Sequence, residues 1–178
     1  MGFGTIFTTI ALVAIVGLIS YLFITGSLFT MDTLSSSFKS INERDNDRLK
    51  TEIEIVRAFA PDNRIINVSI NNTGSTKILN SAFTHIDAFV SYRNYTAAAG
   101  TTTIQRWIPY NETHDSALQH NEWTVVSITP DFINPGIFDP DEQMELVIRV
   151  DPAINSTKQN GNWTKIVMPN GVSDARYF

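Results

Sequence analysis

The spacing of apolar side chains changes twice along this chain. Residues 1–31, MGFGTIFTTIALVAIVGLISYLFITGSLFTM, carry no charged side chain, and Asp32 is the first charge. Crossing a bilayer takes roughly 20 mostly apolar residues, so the run from Phe3 to about Leu28 predicts a transmembrane helix within residues 1–30. A cleaved signal peptide would want a basic leading segment, a shorter apolar stretch and a small-residue cleavage site, and none of these is obvious. Beyond it, apolar residues fall at Met31, Leu34, Phe38 and Ile41, and the steps of three, four and three trace one helical face. A helical stalk over 31–50 follows, with no Pro or Gly to interrupt it. Its apolar stripe is narrow, like a coiled-coil seam, and Asp45 ends it. Leu34, Phe38 and Ile41 are therefore candidate helix-packing residues. They face either the protein's own domain or a partner helix in a self-assembly.

From residue 51 the period becomes two. EIEIVRAF, RIINVSIN, DAFVSY, TTIQRWIPY, EWTVVSIT, QMELVIRVD and TKIVMP are rich in Ile, Val, Thr and aromatics, as strands are. Polar turn signals separate them: PDN, NNTGS, NPG, DPD, KQNGN and PNG. This pattern predicts an antiparallel β-sandwich over 51–178, an all-β domain behind one long N-terminal helix. The inward positions are read as Ile53, Ile55, Ile66, Val68, Ile70, Val90, Trp107, Val125, Leu146, Ile148 and Val150. Asn72-Thr73-Gly74 reads as the turn of a hairpin, because Asn and Gly tolerate positive φ.

Charge and composition narrow the function. A net charge of −5 and a pI near 5.1 speak against a nucleic-acid partner, which would show a clustered basic face. The chain has no cysteine, which excludes a disulfide framework, a thiolate metal site and a cysteine nucleophile. Six Asn-x-Ser/Thr triplets stand at Asn67, Asn71, Asn94, Asn111, Asn155 and Asn162, all on one side of the apolar helix. Asn67 and Asn71 are four apart on a strand, hence on one face, opposite Val68 and Ile70. Glycans are bulky and solubilising, and these sites point to an exterior location. The basic residues Lys39, Arg44, Arg48 and Lys50 pull the other way under the positive-inside rule, but acidic residues are mixed among them and the rule weakens for large domains.

Catalytic signatures are missing. No HExxH, GxSxG, Walker loop or GxGxxG occurs, so no cofactor and no enzymatic activity are expected. His114 with Asp115, and His120, lie in the polar stretch PYNETHDSALQH, which reads as a solvated loop. Asp131, Asp139, Asp141 and Glu142 gather in TPDFINPGIFDPDE, where oxygen ligands could hold a Ca²⁺, although the spacing matches no EF-hand.

Three pieces carry a family resemblance: the MGF start leading into a membrane helix, "VSINNTGSTKIL", and the C-terminal "IVMPNGVSDARYF". With "NEWTVVSITPDFINPGIFDPDEQMEL" between them, the chain resembles the archaeal archaellum (flagellar) stator proteins of the F/G type, more like F. Related β-sandwiches occur in archaellins and pilin-like subunits. The resemblance implies an N-terminal membrane anchor and an immunoglobulin-like sandwich in the pseudo-periplasm. It also implies binding to the S-layer and partnership with the sister stator protein, and it brings no catalytic residues. The alternative is a filament subunit, with apolar helices bundled in a core and glycosylated domains outside. A Met-first sequence with no basic leader leans toward the anchor.

Overall fold

The computed structural model describes residues 2–96, 100–113, 117–155 and 161–178. The chain forms two compact units, Met1–Asp45 and Asn46–Phe178. A single helix, α1 (Phe3–Lys50), makes up the first unit and supplies the first residues of the second.

Nothing in the sequence interrupts α1. Its glycines at positions 4, 17 and 26 cost helix propensity, but lipid or a helix bundle tolerates them. Threonine hydroxyls along the apolar half bond back to carbonyls one turn earlier: Thr8 to Gly4 at 2.7 Å, Thr9 to Thr5 at 2.8 Å, Thr25 to Tyr21 at 2.9 Å and Thr30 to Gly26 at 2.8 Å. Those donors are thus satisfied without water, as an apolar surround requires. At about 1.5 Å per residue the helix is roughly 70 Å long, over twice the ~30 Å hydrocarbon thickness.

Eight strands follow: β1 (Ile53–Phe59), β2 (Ile65–Asn72), β3 (Asp87–Thr96), β4 (Gly100–Ile108), β5 (Glu122–Thr129), β6 (Gln143–Arg149), β7 (Trp163–Val167) and β8 (Ser173–Tyr177). They build two antiparallel four-stranded sheets, ordered β1-β2-β6-β5 and β4-β3-β7-β8. Alternation sets the inner faces. Ile66, Val68 and Ile70 from β2 and Met144, Leu146 and Ile148 from β6 are fully enclosed, and Ala88, Val90, Tyr92 and Ile166 meet them from the other sheet. At roughly 1.5–3 kcal/mol per large buried apolar side chain, such a core holds the domain without disulfides.

Three details depart from the sequence reading. Trp107, expected inside, faces out on β4 with its indole N–H donating to Asp87 Oδ1 at 2.8 Å. Trp123 of β5 fills the core in its place, tilted against Tyr110 with ring centroids 4.8 Å apart. The C-terminal SDARY forms β8, a strand whose polar composition hid it. There Asp174 Oδ2 accepts from Ile55 N at 2.7 Å and Arg176 Nη1 donates to Ile55 O at 2.8 Å, so side chains stitch β8 to β1 across the sandwich edge.

The third concerns Asn72-Thr73-Gly74. No hairpin forms: β2 pairs with β1 and β6, and the chain after Asn72 leads instead to a short 3₁₀ helix, Asn80–His85. Gly74 is needed for closeness, not for a positive φ. A Cβ there would lie 2.4 Å from Glu52 N and 2.5 Å from Lys50 O. The turn clasps the end of α1: Thr73 N and Gly74 N donate to Glu52 O, both at 3.0 Å, and Ser75 N to Lys50 O at 2.8 Å. One of the helix's orphan carbonyls finds its donor here.

Two outcomes follow. Gly74→Ala forces backbone apart at this clasp and costs roughly 2–4 kcal/mol, read as a lower urea midpoint for the detergent-solubilised chain. Tyr92 is enclosed and its hydroxyl donates to Pro152 O at 2.9 Å. Burial chiefly, and the Asp151 charge in part, push its pKa up to about 12, against the opposing pull of Arg106 and Arg64. The fold therefore favours the neutral phenol. That contribution is complete below the unfolded value near 10 and is lost as pH rises from there toward 12. Tyr92→Phe costs about 1 kcal/mol at neutral pH and flattens this alkaline loss, measured by denaturant titrations across pH 8–12.

Candidate functional site

Two surfaces carry the candidate residues: the length of α1 and the outer face and lower end of the sandwich.

Every residue of α1 is exposed. Leu34, Phe38 and Ile41 are 54%, 57% and 53% exposed, so the stripe presents most of its apolar area. Just N-terminal to it lies a shallow groove on the helix surface lined by Leu22, Phe23, Gly26, Ser27, Thr30, Met31 and Leu34. Gly26 and Thr30 are four apart, the spacing at which small residues allow close helix approach in apolar bundles. Reading only large apolar residues passes over Gly26 and Thr30, whose small-xxx-small spacing is the available signal.

The asparagines separate by environment. Asn67 and Asn71 stand half-buried on the outward side of β2, alternating with the enclosed Val68 and Ile70. Asn67 lies opposite Phe59 and Val147, and Asn71 opposite Glu54 and Gln143. Between them Ser69 Oγ donates to Glu145 Oε2 at 2.9 Å. Thr73, which completes the Asn71 triplet, is exposed at the sheet end. Asn94 and Asn162 are enclosed. Asn94 Nδ2 donates to Ala153 O at 2.6 Å, and Asn162 Oδ1 accepts from Arg93 N at 3.0 Å. A sugar on either amide nitrogen would have to displace packed backbone. Asn111 is half-buried and its Nδ2 donates to Glu122 Oε2 at 2.7 Å. Asn155 is half-buried too, while the other two residues of its triplet lie outside the described residues.

The carboxylates of the β5–β6 loop are brought into one segment and engaged in shaping it. Asp131 accepts from Gly136 N through both oxygens, at 3.0 and 3.1 Å. Asp139 Oδ2 accepts from Asn134 Nδ2 at 3.0 Å, and the enclosed Glu142 accepts from Asp139 N at 2.8 Å. Asp141 sits exposed at φ 65°. Among the described residues no three His, Asp or Glu side chains are placed to hold a metal ion. His114 and Asp115 lie outside the described residues; His120 is exposed.

The loop also presents what the sequence reading passed over. Phe132 is 88% exposed and Ile133 72% exposed. They sit on a turn fixed by the Asp131–Gly136 and Asn134–Asp139 bonds. At the same end of the domain, Thr51, Ile78, Leu79, Ala82, Met168 and Pro169 help to line a groove of about 290 Å³.

The fold has counterparts among known proteins. A protein of Archaeoglobus fulgidus is 29% identical over 181 residues, covering 100% of this chain and 96% of its own. The archaeal flagellum of Methanospirillum hungatei strain JF1 aligns with 99% of this chain and 91% of its own at 11% identity and a TM-score of 0.50. The archaellum periplasmic stator protein FlaG from Sulfolobus acidocaldarius aligns with 72% of this chain and 99% of its own, at 17% identity and a TM-score of 0.49. Residues 2–178 match the family model of archaeal-type flagellin. A long apolar N-terminal helix, a β-sandwich behind it and a family match through both place this chain in the archaeal-type flagellin family, among the structural components of the archaellum.

Proposed function

We propose that the chain is a membrane-anchored stator component of the archaellum. Its helix is fixed in the cell membrane, and its sandwich lies outside, bound to the S-layer and paired with a sister stator protein. The observation that carries the reading is α1: uncharged to Met31, exposed throughout, with its threonine hydroxyls bonded to its own carbonyls. Such a segment suits hydrocarbon. The sandwich supports a mechanical role in the same way. Its firm core is closed along one edge by the β8–β1 stitch, and its polar side chains are engaged in holding loops. A stator must resist torque with little deformation, and close-packed interiors of this kind have low compressibility. Asn71 and Asn67 stand half-buried on the outward side of β2, in contrast to the enclosed Asn94 and Asn162, and sugars on them would fit an exterior domain.

A second reading is a filament subunit whose helices bundle through Gly26, Thr30, Leu34, Phe38 and Ile41. Two observations favour it: the family model matches residues 2–178, and the likeness to the Methanospirillum flagellum runs through 99% of the chain.

Sheared, purified native filaments and washed native membranes separate the two. Quantitative mass spectrometry finds this chain in the membranes and not as the filaments' bulk protein. Filaments built of this chain would replace the stator reading with the second. In the same samples, peptides carrying Asn71 and Asn67 bear glycan mass and those carrying Asn94 and Asn162 do not. Six unmodified asparagines would remove the sugar support for an outward domain.

A further inference from the structure

We propose that the outer face of the β4-β3-β7-β8 sheet binds an acidic oligosaccharide, stacked on Trp107, Phe89, Trp163 and Tyr177. Alternation turns Ala88, Val90 and Ile166 into the core, so Phe89, Ser91, Trp163 and Lys165 face out. Trp107 lies opposite Phe89, and Phe89 opposite Lys165. One step along the strands, Gln105 lies opposite Ser91, Ser91 opposite Trp163, and Trp163 opposite Tyr177. With strands ~5 Å apart, two aromatic pairs therefore stand diagonally, Trp107 with Phe89 and Trp163 with Tyr177. Gln105 and Lys165 occupy the other two corners.

The rings are open to a ligand and partly fixed beforehand. Trp107 is 51% exposed and Tyr177 73% exposed, while Phe89 and Trp163 are half-buried. Ser91 is enclosed although it faces out, so the side chains around it lie across the strand. The indole N–H of Trp107 is held by Asp87 Oδ1 at 2.8 Å, which sets the plane of that ring. A surface ordered in advance loses little entropy when it binds.

The mixture of rings and polar groups suits a sugar. A pyranose has a face of C–H groups and a rim of hydroxyls. Its weakly positive C–H hydrogens lie against the negative face of an aromatic ring, and its rim needs hydrogen-bond partners such as Gln105. A protein partner fits less well, because the centres of protein interfaces are depleted in lysine and Lys165 stands within this face. Charge selects an acidic sugar. Arg93 follows Ser91 on the outward side of β3, and neither Arg93 nor Lys165 forms an ion pair among the described residues. The four strands carry two carboxylates, and both are engaged: Asp87 by Trp107, and Asp174 by Ile55 N of the other sheet. A chain of net charge −5 thus shows a local excess of cations beside its aromatic rings.

The test titrates the full-length chain, in a detergent without a sugar headgroup, with oligogalacturonate and separately with malto-oligosaccharide of the same length. Two of the three tryptophans lie on this face, so oligogalacturonate is expected to change the intrinsic emission to saturation. By calorimetry, Trp107→Ala and Tyr177→Ala each weaken that binding about tenfold, the loss of one aromatic anchor. Their unfolding midpoints stay near the parent's, because both side chains are exposed. Lys165→Gln lowers affinity for oligogalacturonate and flattens its salt dependence, with malto-oligosaccharide unaffected. The proposal is overturned if the folded chain binds neither sugar, or binds both equally. Binding that survives both aromatic substitutions would place the sugar elsewhere and end it as well. A photoreactive phenylalanine in place of Trp107 gives a further check in native envelopes: cross-linking to an unglycosylated polypeptide would assign the face to a protein instead. None of these outcomes depends on whether the chain is found in membranes or in filaments, so the stator reading stands or falls separately.

Discussion

The lower end of the domain depends on one buried side chain, Asn72. It is the inward-facing last residue of β2, fully enclosed, where an apolar residue would continue the alternation. Its Nδ2 donates to Thr76 O at 2.9 Å and to Phe138 O at 3.2 Å, and its Oδ1 accepts from Gly74 N at 3.2 Å. Its backbone N–H donates to Glu142 O and its carbonyl accepts from Asp141 N. A buried amide is costly unless its bonding capacity is used, and this one is used on both sides. One residue thereby fixes the turn that clasps the end of α1 and the loop that carries Phe132 and Ile133.

That arrangement gives the two ends of the polypeptide different kinds of stability. The sandwich is held by its own interior, with sheets closed by the Asp174 and Arg176 stitch on one flank and covered on the other by the segment around Tyr110. There Trp123 N donates to Pro109 O and Asn111 N to Trp123 O. Edge strands so occupied are poor templates for stray pairing. The apolar half of α1 has the opposite character. Its residues from Phe3 to Met31 are exposed, and hydrocarbon or neighbouring helices are what such a surface demands.

Polar residues in this domain largely serve construction. The carboxylates of residues 131–142 read as oxygen ligands when only their spacing is visible, yet three of them accept hydrogen bonds that shape the loop. The asparagines divide similarly. In Asn94 and Asn162 the amide bonds to packed backbone, whereas Asn67 and Asn71 stand on the outer face. A triplet motif records sequence only; the depth of its asparagine is set by strands far away in the chain.

The sequence by itself determined the long helix and the β-sandwich, because both rest on local periodicity: thirty-one uncharged residues, then side chains that alternate at period two. It placed Asn67 and Asn71 on one face for the same reason. Tertiary structure alone decided which tryptophan fills the core, since Trp107 and Trp123 sit in strands of similar pattern and only the pairing of β4 with β3 and of β5 with β6 assigns their sides. It decided that SDARY is a strand, because its backbone pairs along all of β7 and its polar side chains bond to Ile55, over a hundred positions away. It also decided that Gly74 is a point of close approach and not a hairpin turn. The atoms that forbid a side chain there belong to Lys50 and Glu52, which no local pattern brings near.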